Sequence, residues 1–155
     1  MRQKTTREKE IKSGIKQMQY MASYILSNKF DWDIERINGV GEKIAEMSDS
    51  VNSNVSTSWT YVNWAKENKL EVEFKENVGF MTPPMRQMTL ERCGIKTTTL
   101  DFIVYALWSS YQLTYADLAK FKFHIEDLQD SIDRKFLSYE DIYKEQERIG
   151  FIAWK

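Results

Sequence analysis

The chain has 155 residues, a formal charge of −1 and a high aromatic content, with five Trp, eight Tyr and eight Phe. That length fits one domain with a real core, and such a composition excludes a disordered chain. A near-neutral balance gives no global electrostatic signal for nucleic acid, and the one cysteine, Cys93, excludes an intrachain disulfide or a cysteine-based zinc site.

In chain order, Thr5 with Glu8 forms a capping-box pattern, and Ile11, Ile15, Met18, Ala22 and Ile25 recur at helical spacing to about Asn28. Six Lys or Arg against two Glu in residues 1–16 make this helix start basic. It reads either as a solvated face or as an arm along phosphates, with Lys12 and Lys16 as contacts. No apolar leader pattern follows Met1 and no run reaches membrane-spanning length, so a cytoplasmic location without a membrane partner is expected.

Residues 33–47 place an apolar-spaced segment (Ile34, Ile37) before Gly39-Val40-Gly41, then Lys43, Ile44, Ala45 and Met47. Two glycines around one apolar residue predict a tight hairpin, and a helix starting there aims free N–H groups outward, as a phosphate site needs. The other reading is a packing corner, where glycine permits close approach. Glu42 opposes an anion at this place and Lys43 favours one.

Ser48–Ser58 is rich in Ser and Asn and predicts a loop. A helix capped by Thr57 or Ser58 then runs to about Lys69, and Leu70-Glu71-Val72-Glu73-Phe74 alternates as a strand, with a return strand over 78–81. Thr82-Pro83-Pro84 ends that unit. Met81, Met85 and Met88 make an apolar cluster that reads as core filling or as an adaptable partner surface.

The second half predicts helices through Leu100–Tyr111, from Thr114 through Phe121, over Ile125–Phe136, and from Ser138 to Gly150, with Phe151–Trp154 folding back on the core. The expected fold is mainly α, with one small β-hairpin over about 70–81. Units 1–82 and 83–155 are expected to pack as one domain.

The residues from Asp33 to Met47 resemble the helix-hairpin-helix motif of DNA-repair and replication proteins. That resemblance implies sequence-independent backbone contact through the N–H groups of Gly39, Val40 and Gly41, with charge from Lys43. Val55, Ser56, Val62, Trp64 and Lys69-Leu70 are similar to the recognition helix and wing of excisionase-type winged-helix proteins. This second resemblance puts Thr57, Ser58, Thr60, Tyr61 and Asn63 at a major groove.

No catalytic residue is expected. His124 is the lone histidine, Cys93 has no neighbouring histidine in sequence, and no P-loop or nucleophile-elbow pattern occurs. Glu126, Asp127, Asp130 and Asp133 at helical spacing read as an acidic face before a Mg²⁺ site. No metal or cofactor is expected. Two functions follow from this reading. One is a non-enzymatic accessory protein of phage or mobile-element type on a DNA or RNA backbone. The other is a helical module that binds another protein or itself.

Overall fold

The computed structural model describes residues 2–76 and 78–154, with side chains from Arg7 onward. Among these are six helices: α1 (Arg2–Lys29), α2 (Ile34–Asn52), α3 (Ser58–Glu67), α4 (Pro83–Tyr111), α5 (Tyr115–Asp133) and α6 (Tyr139–Arg148). The expected mainly α class holds.

The helix ends follow local chemistry. Thr114 Oγ1 accepts from the Asp117 N–H at 3.1 Å, and the Asp117 carboxylate accepts from the Thr114 N–H at 3.2 Å. Ser138 and Asp141 repeat this reciprocal pair at the start of α6, with both bonds at 3.1 Å. Each box satisfies two backbone donors that the first turn leaves open. At the other end of α6, Gly150 takes φ +99°, and the N–H groups of Gly150 and Phe151 bond back to Glu147 and Gln146. This is a Schellman stop, and glycine occupies its left-handed position without a Cβ penalty.

α1 and α4 lie side by side and parallel. Arg7 pairs with Glu91, Glu10 with Arg92, and Gly14 faces Ile95 and Lys96. α2 runs antiparallel to both, since Gly39 faces Tyr111 while Ile44 and Ser48 face the turns near Ile103 and Thr99. α3 covers a third side of α4, through Tyr61 on Phe102 at 4.7 Å and Trp64 on Trp108 at 5.0 Å. α5 covers a fourth, and α6 lies on α1, where Gln146 Nε2 donates to Ser23 Oγ at 2.6 Å in the interior. One core cluster, including Met18, Ile25, Ile37, Leu100, Leu107, Phe121 and Ile142, draws on both sides of Pro83.

Several expected boundaries shift. α1 begins at Arg2, so Thr5 is not its first cap; the Thr5 side chain itself lies outside the described residues. Pro83 and Pro84 occupy the first turn of α4 instead of ending a unit, because a missing N–H costs nothing there. α5 joins the two helices expected from Thr114 to Phe136, and stops at Asp133.

The expected β-hairpin over 70–81 is absent among the described residues: no strands form. The alternation is nevertheless real. Leu70 and Val72 are buried and Phe74 half-buried, while Glu73 and Lys75 face solvent. The segment is an extended strap laid over α4, where the Thr97 hydroxyl donates to the Val72 carbonyl at 2.9 Å. A period of two fixes which side is buried, but a strand also needs a neighbouring backbone to complete its ladder.

The tail 149–154 closes the fold over α2. Asn38 donates to the Gly150 carbonyl at 3.1 Å and accepts from the Ile152 N–H at 3.0 Å. Trp154 Nε1 donates to the Ile37 carbonyl at 2.9 Å, and its ring lies on Gly41. A Cβ at Gly41 would come 2.7 Å from Trp154 Cδ1. Gly41→Val is therefore expected to cost about 1–3 kcal/mol, as overpacking does, and to cost clearly less in a Trp154→Ala background. Urea denaturation of the two single variants and the double variant tests this, and equal costs in both backgrounds would refute it.

Candidate functional sites

The glycine stretch is not a hairpin. α2 starts at Ile34, capped by Asp33, whose side chain accepts from the Arg36 N–H at 2.8 Å. Gly39, Val40 and Gly41 lie inside this continuous helix, where backbone N–H groups are spent on carbonyls four residues back. Val40 is fully buried, Gly39 would put a Cβ 3.2 Å from the Tyr111 hydroxyl, and Gly41 receives Trp154. Lys43 is half-buried and lies 3.9 Å from Glu46. The expected N–H cradle does not exist here. The glycines do permit close packing, as the second reading held, but on the flank of a helix and not at a corner.

The winged-helix expectation also changes. Without strands there is no wing among the described residues. Thr57 precedes α3 as its N-cap but makes no side-chain cap bond, and Thr57, Ser58 and Thr60 are exposed. Asn63 donates to Glu67 at 3.0 Å. Tyr61 is withdrawn from any groove: it is buried against Phe102 and Tyr105, and its hydroxyl lies 3.1 Å from Ser56 Oγ.

Lys12 and Lys16 project with Lys9 into a groove of about 600 Å³ between α1 and the start of α6. Lys16 Nζ sits 4.4 Å from the centroid of the Tyr143 ring, an attraction between cation and π-face. Glu140 lies on the opposite wall. Lys12 and Lys16, both assigned to nucleic acid, thus line one concavity together.

The methionine cluster occupies the start of α4 and the loop before it. Met81 and Met88 are half-buried, and the Thr89 hydroxyl lies 3.3 Å from the Met81 sulfur. Met85 is 54% exposed. In the same stretch of chain the structure exposes two residues that the sequence reading passed over, Phe80 at 93% and Leu90 at 55%. Phe80 follows Gly79 directly and lies three residues before the proline pair, whereas Leu90 carries no local sequence signal beyond its apolar side chain.

Two further groups were not foreseen. Asp101, in the middle of α4, is 1% exposed, and no hydrogen-bond donor among the described residues reaches either of its oxygens. Its neighbour is the Glu71 carboxyl on the strap. Two carboxyls can hydrogen-bond each other only when one holds a proton. Burial, then the Glu71 contact, pushes Asp101 up to about 9, against a weaker pull from Lys66.

The second is Lys96, 6% exposed, on the wall of a cavity of about 320 Å³ between the strap, α4 and α5. Its ammonium donates to the Tyr139 hydroxyl at 3.3 Å, and that hydroxyl donates to Gln129 Oε1 at 2.9 Å. The Phe74 and Tyr139 ring centroids lie 5.5 and 5.4 Å from Nζ. Burial lowers the Lys96 pKa, opposed by Glu76, and burial pushes Tyr139 up to about 12, so the phenol keeps its proton. Cys93 lines the same cavity as a buried thiol, raised by burial.

His124 is half-buried within α5, its ring 6.4 Å from Phe30 and 5.6 Å from Phe123. Asp130 pairs with Arg134 at 3.0 Å and Asp133 accepts from Gln129 at 3.0 Å. Among the described residues no three His, Cys, Asp or Glu side chains are grouped to hold a metal, and no helix is long and apolar enough to cross a membrane. No family model matches the chain, and neither the curated proteins nor the solved structures contain a match.

The carboxyl pair has a measurable consequence. A folded-state pKa above the ordinary 3.8 means that the folded chain holds a proton the unfolded chain releases. Stability is then lost as pH rises between the two values. Asp101→Asn supplies a donor to Glu71 without a titrating proton. Its urea midpoint relative to the unaltered chain is expected to rise from about pH 5 to about pH 8. A difference that does not change with pH would refute the shared proton.

Proposed function

We propose that this chain is a helical protein–protein interaction module that docks through the start of α4 and the loop before it. The observation that carries this reading is the exposure of Phe80, Met85 and Leu90 within one short stretch. An aromatic ring left 93% in water contributes almost nothing to the fold. Exposed apolar side chains gathered in one stretch of chain mark the contact in this reading, since aromatic residues dominate the energy of such contacts and methionine adapts its shape to an irregular partner. The reading implies a partner protein with an apolar groove that takes a ring and a thioether.

A photo-crosslinking residue at Phe80, in cells that express the full chain, is expected to give one discrete adduct. The same residue at exposed Asp127 should give none, and Met85→Asp should abolish the Phe80 adduct. Phe80→Asp and Met85→Asp should each change stability by less than about 0.5 kcal/mol, because neither side chain supports the core. Absence of a discrete adduct, or one that survives Met85→Asp, rejects the reading. Sedimentation of the purified chain separates self-association from a second protein.

The lysine groove supports a second reading, contact with a DNA or RNA backbone through Lys9, Lys12 and Lys16. Anisotropy of labelled duplex DNA and of RNA should then weaken with salt by a slope of a few phosphates. Reversing all three lysines to Glu should flatten that slope. No binding at low salt would remove this reading.

A further inference from the structure

We propose that the cavity at Lys96 binds a small zwitterion, an aminocarboxylate whose carboxylate pairs with the Lys96 ammonium and whose own ammonium faces Glu126, Asp130 and Asp133. The site is independent of the α4 docking end.

The first argument is satisfaction of donors. A lysine ammonium carries three N–H groups, and Lys96 spends one on Tyr139. No carboxylate among the described residues comes within 4.0 Å of it, although five acidic residues line the cavity. A buried charge with spare donors is costly unless an acceptor joins it. The cavity gives an acceptor the room to do so.

The second argument is which acceptor fits. The volume of about 320 Å³ lies at the small end of ligand pockets. Two of the acidic neighbours are already committed, Glu76 to Arg92 at 2.7 Å and Glu73 to Lys75 at 3.6 Å. On α5, Glu126 is exposed and makes no ion pair or hydrogen bond among the described residues, and Asp130 and Asp133 are partnered only at the surface. A simple anion would meet this acidic wall on entry. A diamine would be repelled by Lys96. A molecule with a carboxylate inward and an ammonium outward matches both ends. Burial already lowers the Lys96 pKa, and a carboxylate beside it restores the charged form.

Calorimetric titration of the full chain with ω-aminocarboxylates of increasing chain length tests the site, with butanoate and diaminobutane as controls. One chain length is expected to saturate, with both controls weaker by about tenfold or more. Lys96→Met, which keeps the volume and removes the charge, should abolish binding, and Glu126→Gln should weaken the aminocarboxylate but not butanoate. In the unaltered chain the bound ligand should slow reductive methylation of Lys96 relative to exposed Lys135, read by peptide mass spectrometry, so the result does not depend on a variant folding. Failure of every member to saturate, controls that bind equally well, binding that survives Lys96→Met, or unprotected Lys96 would each overturn the proposal.

Discussion

Everything in this fold is arranged around the enclosure of α4. Its middle turns are covered by α1, α2, α3 and α5, and Leu100, Ile103, Val104 and Leu107 are buried together. A helix covered on several sides has no solvent stripe, so its apolar residues need not keep to one face. Its polar residues then have nowhere to turn. Asp101 and Lys96 are both caught in this way and answer it differently. Burial beside the Glu71 carboxyl pushes Asp101 toward its protonated, uncharged form. Lys96 keeps three donors, satisfies one on Tyr139 and faces a cavity with the others.

The same constraint explains what could be read from the sequence. Helix ends set by neighbours in the chain were legible: the boxes at Thr114 and Ser138, and the stop at Gly150, act over three or four residues. The inward fold of Phe151 and Trp154 was legible from their apolar character. The first half of α4 was not, because residues 83–92 mix exposed Met, Arg and Gln without a period. Neither Asp101 nor Lys96 announced its burial, since nothing local says which segment will cover a side chain.

Gly39-Val40-Gly41 shows how a longer pattern can outweigh a short one. Glycine lowers helix stability by about 1 kcal/mol against alanine, which favours a break at such a sequence. Yet Ile37, Val40, Ile44 and Met47 continue one helical face straight through it, and all four are buried. The face wins because core burial of several side chains, each contributing about 1.5–3 kcal/mol, exceeds two glycine penalties. What the glycines then permit, the approach of Tyr111 and Trp154, depends on residues more than seventy and more than a hundred positions away. No local reading contains those partners.

The strap over 70–76 connects these points to the cavity. Had it paired with 78–81 as a hairpin, its backbone groups would have been satisfied within the hairpin. It is drawn onto α4 instead, by burial of Leu70 and Val72 and by the bond from Thr97 to the Val72 carbonyl. Arg92 fixes its far end, holding Glu76 at 2.7 Å while pairing with Glu10 of α1 at 2.8 Å. This placement brings Glu71 to Asp101 and lays Phe74 beside Lys96, so the buried carboxyl pair and the cavity wall both follow from one unpaired extended segment. Lys16 shows the contrast. It too lies against a tyrosine ring, but no strap crosses α1, and its ammonium remains in water. The difference between a solvated lysine and an enclosed one is set by where the chain between α3 and α4 is drawn down.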